Sequence, residues 1–152
     1  MKGRIKCVSS LFLTMILAFS FIYPANAIIV QPMASDYISN YSLTISSKSS
    51  NKIIVTIDVE ATGTFAYVGL SALSIQVYEN GSWKNVAIYN GFASGSSIMG
   101  RNTSAFAKEV TYTGQAGKTY RAVGDVYCGK DSSYINCDTR TGVTTSSVVA
   151  KL

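Results

Sequence analysis

The chain has 152 residues, with thirteen basic and eight acidic side chains, three cysteines and no histidine. Lacking an imidazole, it has no Ser-His-Asp or Cys-His catalytic arrangement and no histidine metal site. Its formal charge of +5 is partly a property of the N-terminus, and no basic cluster follows that would mark a nucleic-acid surface.

The N-terminus reads "MKGRIKCVSSLFLTMILAFSFIYPANA". Lys2, Arg4 and Lys6 form a basic region, Val8 to Tyr23 is apolar, Pro24 breaks the run, and Ala25-Asn26-Ala27 is a small-x-small cleavage site. That order predicts a secretory signal over residues 1–27, removed after Ala27. A retained membrane anchor is the rival reading, but the apolar run falls short of the ~20 residues a spanning helix needs. Cys7 leaves with the signal. Taking Lys2, Arg4 and Lys6 from the thirteen basic residues leaves ten against eight, a net of +2. The expected product is secreted, without a membrane segment, with a short linker at 28–35 and one domain over 36–152, long enough to bury a core.

Strands follow in order. A first is expected from about Asp36 to Ser47. In "KIIVTIDVE", Ile53, Val55, Ile57 and Val59 share one face, the period-2 pattern of a half-buried strand. "ALSIQVYENGSWKNVAIYN" then predicts a hairpin, because Asn80-Gly81 suits a type I′ turn whose two central residues need positive φ. Counting outward, Tyr78 faces Trp83, Val77 faces Lys84, Ile75 faces Val86 and Leu73 faces Ile88. Leu73, Ile75, Val77, Val86 and Ile88 then share one face, and Tyr78, Trp83 and Tyr89 fall on the polar one. After a Gly/Ser connection, further strands are expected from Ser104 to Tyr112, with Phe106, Val110 and Tyr112 inward, and from Thr119 to Cys128. A last one lies in "GVTTSSVVA". About seven short strands with turns between them, and no helical periodicity, predict an all-β antiparallel two-sheet sandwich.

Cys128 and Cys137 bracket a short polar loop. In an oxidising compartment two such thiols are expected to join in a disulfide. Metal binding would need two more ligands, and a redox role would favour C-x-x-C spacing.

"VTYTGQAGKTYRAVGDVYC" resembles the penultimate-strand region of immunoglobulin-like and fibronectin type III-like sandwiches. The resemblance implies a tyrosine corner formed by Gly117 and Tyr120. The antibody-type disulfide is missing, since no cysteine follows two residues after Tyr120. A longer stretch, from about Tyr37 to Thr145, resembles small secreted proteins of Gram-positive bacteria without an assigned function. It shares with them "ATGTFAYVGLSALSIQVYENGSWKNV", then "MGRN", then "VTYTGQAGKTYRA" and the tail "DTRTGVT". This resemblance implies a secreted β-sandwich and supplies no activity.

The acids of the expected mature chain are Asp36, Asp58, Glu60, Glu79, Glu109, Asp125, Asp131 and Asp138, mostly at outward strand or loop positions. Two carboxylates alone can serve a glycosidase, but solubility accounts for these. Asp125, Asp131 and Asp138 lack the spacing of a calcium loop, so no metal or cofactor is expected. Asn40, Asn80 and Asn102 sit in Asn-x-Ser/Thr sequons, relevant only in a host that glycosylates. The aromatic face of Tyr78, Trp83 and Tyr89 is the candidate binding surface, for wall glycan, a surface protein or another copy. Flat rings offer apolar area at little entropic cost; the competing reading is simple cross-strand stabilisation of the hairpin. A non-enzymatic binding module is therefore expected, the alternative being a secreted effector or carboxylate-dependent glycan hydrolase.

Overall fold

The structure, a computed structural model, describes residues 36–152. The signal and its cleavage site, Cys7 and the linker at 28–35 lie outside the described residues. Seven strands form: β1 Ile38–Lys48, β2 Lys52–Glu79, β3 Ser82–Asn90, β4 Met99–Thr113, β5 Thr119–Gly129, β6 Cys137–Thr144 and β7 Val148–Val149. Every pairing is antiparallel, and the described residues contain no helix. The fold is all-β, as the alternation implies.

The strand expected over 52–60 and the first arm of the hairpin are one element. β2 runs for 28 residues, which at ~3.3 Å per residue would reach about 90 Å if straight. A compact domain of this size has a radius of gyration of only about 13 Å, so the strand has to curl. It does so where its ladders break, between Glu60 and Phe65 against β4 and between Leu70 and Ala72 against β5. One half of β2 lies between β1 and β4, the other between β3 and β5. The result is a single seven-stranded sheet curled into a half-barrel. Gly91 marks a close crossing. Its N–H donates to Ser71 O at 2.8 Å, and a Cβ there would lie 1.9 Å from Leu70 O, so only glycine fits.

The concave side holds the core. Ile53, Val55, Ile57 and Val59 are fully buried, as are Leu73 and Ile75 further along β2. Each such side chain contributes roughly 1.5–3 kcal/mol on leaving water. Val110 is buried on β4, with Phe106 and Tyr112 packed against the same cluster. Leu43 of β1 folds over onto β5, close enough that a Cβ on Gly124 would sit 3.2 Å from its side chain.

Two ladder details revise the expected strands. The C-terminal region holds two strands, because Thr145 interrupts the ladder. Its hydroxyl accepts from Ala122 N at 2.9 Å, its own N–H donates to Ala122 O at 3.0 Å, and β6 ends one residue before it. In the hairpin, Glu79 pairs with Ser82, Tyr78 with Trp83 and Val77 with Lys84 around Asn80 (φ 52°) and Gly81 (φ 78°). Beyond Gln76–Asn85, however, Ile75 pairs with Ala87 and Leu73 with Tyr89. Val86 is the extra residue of a β-bulge, and a bulge exchanges the faces of everything past it.

The cysteines also depart from the expected disulfide. Cys128 and Cys137 are both free. Cys128 pairs with Asp138, and Gly129 pairs with Cys137, so the two thiols are offset by one residue across the ladder. Neighbours offset by one project to opposite faces of a sheet. A disulfide needs converging Cβ vectors, which this register does not offer.

Candidate functional site

The convex face of β3, β2 and β5 carries the candidate site. Tyr78 and Trp83 are directly opposed, with ring centroids 5.1 Å apart and planes at 57°. Tyr78 is 47% exposed, and Trp83 is half-buried. One of its neighbours is not visible from the hairpin alone. Arg121 reaches across from β5, two strands away, and its guanidinium carbon lies 4.3 Å from the Trp83 ring centroid. Arg121 Nε donates to Gln76 Oε1 at 2.8 Å, and Gln76 Nε2 donates to Asn85 Oδ1 at 2.9 Å. An aromatic pair, a stacked guanidinium and two planar amides thus form one surface array. Such a stack is worth about 0.5–1 kcal/mol at an exposed site.

Tyr89 does not belong to it. The bulge at Val86 turns Tyr89 to the concave side, where it packs against the core. Tyr112 feels it there: burial, then Tyr120, then Tyr89 raise the pKa of Tyr112. Ile88 takes the convex position instead and is 69% exposed.

A second aromatic cluster lies further along the same convex face. Phe92, from the β3–β4 connection, meets Tyr67, Tyr127 and Tyr134 edge-on, with centroids 5.5, 5.0 and 5.8 Å away. Tyr134 comes from the β5–β6 loop, with φ at 61° and more than half its surface exposed. Arg101 stands over Tyr67 with its guanidinium carbon 4.5 Å from the ring centroid. Tyr127 is fully buried beneath this cluster and donates its hydroxyl proton to Asp131 O. Burial, followed by its bond with Cys137, pushes that phenol far above its ordinary value. Sequence patterning misses this cluster because two of its four rings come from loops.

The remaining named residues have structural surroundings. Tyr120 is buried, and its hydroxyl accepts from Gln115 N at 2.8 Å across the turn that contains Gly117 (φ 75°). Glu79 pairs with Lys118 at 3.1 Å, Asp125 accepts from Gly142 N at 2.7 Å, and Asp138 accepts from Tyr37 N at 2.7 Å. Hydrogen bonds from Ser133 hold Asp131 below the usual carboxylate range, the opposite of what a general acid requires. Burial, then the charge of Asp138, pushes the Cys128 thiol up to about 12. No group of three or more potential metal ligands occurs among the described residues.

No protein-family model, no curated protein and no solved structure matches the chain.

Proposed function

We propose that the protein is a secreted, non-enzymatic binding module whose recognition surface is the convex face of β3, β2 and β5. The observation that carries this reading is the array of Tyr78, Trp83, Arg121, Gln76 and Asn85. Side chains that merely pin a hairpin need only each other. Here a third strand contributes a cation, Arg121, that bonds to the Gln76–Asn85 amide pair of the hairpin and caps the Trp83 ring, on a face that the core does not use. Rigid aromatic area beside pre-oriented polar groups is the composition of a recognition surface.

The same reading includes processing after Ala27 and kinship with the small secreted proteins of Gram-positive bacteria that the chain resembles. It also treats the two halves of the sheet as layers of an immunoglobulin- or fibronectin type III-like sandwich. Leu43 against Gly124 and the bond to the Tyr120 hydroxyl support that arrangement. Glu79, Asp125, Asp131 and Asp138 are each engaged in structural bonds, which weighs against the carboxylate-dependent hydrolase. The expected partner is cell-wall glycan or a surface protein.

Retention of the mature chain on purified Gram-positive cell wall tests the proposal. Trp83→Ala and Tyr78→Ala should abolish retention while leaving the fold intact. Retention unchanged in both variants would remove this face from the function.

A further inference from the structure

We infer that the convex face takes an acidic polysaccharide, laid along β5 and held at both ends by a guanidinium stacked on an aromatic ring. The inference rests on the binding-face reading above and names its ligand class.

The two platforms share one face and one line. Arg121 pairs with Gln76 on β2, and Arg101 pairs with Tyr67, which itself pairs with Gly129 of β5. Along β5 the odd-numbered positions from Arg121 to Gly129 stay on the convex face, because the bulge in this ladder falls on β2. Eight residues separate the two positions, about 26 Å of strand. The platforms are therefore the two ends of a single track. Between them lie Val123, Asp125, whose carboxylate already accepts from Gly142 N, and Tyr127, buried beneath Phe92 and Tyr134.

Charge selects the ligand. A guanidinium whose carbon sits over a ring can still offer N–H groups that the protein does not use to a planar bidentate anion. Only Nε of Arg121 has a protein partner, and Arg101 makes no hydrogen bond or ion pair among the described residues. The track thus ends in two guanidinium groups, Arg101 with all its N–H groups unspent and Arg121 with its Nη groups unspent, and carboxylates at intervals along an extended chain would complement them.

Geometry favours a glycan over an acidic peptide. An extended peptide gains most of its affinity by adding main-chain hydrogen bonds to a free strand edge. Along this track β2 and β5 are paired on both sides, so only side-chain faces are offered. Sugar rings stack on such faces, and their hydroxyls match the planar amides of Gln76 and Asn85.

Calorimetric titration of the mature chain tests this with a linear galacturonate oligomer long enough to span both platforms. The arms are its fully methyl-esterified form, digalacturonate and poly-L-glutamate. The oligomer should bind in a salt-sensitive manner, with the ester and the disaccharide each at least tenfold weaker. Arg121→Gln and Arg101→Gln should each weaken the oligomer tenfold or more, and Arg121→Lys by less, since it keeps the charge but not the fork. Unaltered melting temperatures would show that these variants fold. Failure of the galacturonate oligomer to bind, equal affinity for the ester, or insensitivity to Arg101→Gln would overturn the inference. Equal affinity for poly-L-glutamate would do so as well, reassigning the track to acidic peptides. If the uncharged ester binds and Trp83→Ala abolishes that binding, the recognition face stands and only its acidic specificity falls. If galacturonate binds and Trp83→Ala leaves its affinity unchanged, the recognition face itself is wrong.

Discussion

Arg121 and Trp83 sit two strands apart, yet the guanidinium carbon of one lies 4.3 Å from the ring centroid of the other. Their contact bridges β2, so it should be energetically visible. A double-mutant cycle on Arg121→Ala and Trp83→Ala, read by chemical denaturation, should give a coupling of about 0.5–1 kcal/mol. Trp83→Ala alone should cost about 1–2 kcal/mol, the sum of its cross-strand and cation–π contacts. Ile75→Ala, at a fully buried position, should cost about 2–5 kcal/mol. If Trp83→Ala proved the costlier change, the indole would belong to the core and the pairing around Asn80-Gly81 would be wrong.

The bulge at Val86 makes a sharper test, because it reverses two adjacent residues. With the bulge, Tyr89 packs against the core and Ile88 is 69% exposed. Ile88→Ala should stay within about 0.5 kcal/mol of the parent, and Tyr89→Ala should cost about 2 kcal/mol or more, less than a fully buried aromatic. In an unbulged hairpin the two costs would exchange. Urea midpoints of the two variants decide between the registers.

How far the sequence could be read depends on how many strands a feature involves. The Asn80-Gly81 turn and the inward row of Ile53, Val55, Ile57 and Val59 are local, and the structure has both. The bulge was invisible because Val86, Ala87, Ile88 and Tyr89 are apolar at both parities, so alternation offers no mark of where the face exchanges. β2 appeared as two strands because "ATGTFAY" has no clear period, although it is paired almost throughout. Arg121 could not be assigned to the site from its own neighbourhood, since its partner lies two strands away. The disulfide failed on one residue of register: Cys137 faces Gly129 and not Cys128, a distinction the length of the loop does not carry.

The hydroxyl of Tyr120 ties the β4–β5 turn to the buried end of β5 through Gln115 N. Tyr120→Phe removes the acceptor and keeps the ring, so the loss should approximate one hydrogen bond, about 0.5–1.5 kcal/mol. Tyr112→Phe, on a half-buried ring with its centroid 5.9 Å from that of Tyr120, should cost less. Thermal unfolding of the pair checks the order. An equal loss in both would mean that the hydroxyl contributes through general packing.

The thiols give the last test. Unreduced mature protein, unfolded in guanidinium and titrated with a thiol reagent, should show two reactive groups. A count of zero would mean that Cys128 and Cys137 are bridged and that β5 and β6 pair in another register. In the folded protein Cys128 should resist labelling near neutral pH, since burial raises its pKa from 9.0 to about 12 and the thiolate is the reactive form. The same shift sets a pH dependence. Below pH 9 both folded and unfolded states keep the proton, so this part of the stability is fully present. Between 9 and about 12 the unfolded chain releases its proton while the folded one holds it, and stability falls as pH rises. Tyr112 and Tyr127, both raised from 10.0, should steepen the decline from there upward. Cys128→Ala should flatten the segment between pH 9 and 10, where neither phenol yet contributes much. An unchanged slope in that variant would show that Cys128 titrates normally and is not enclosed by the sheet.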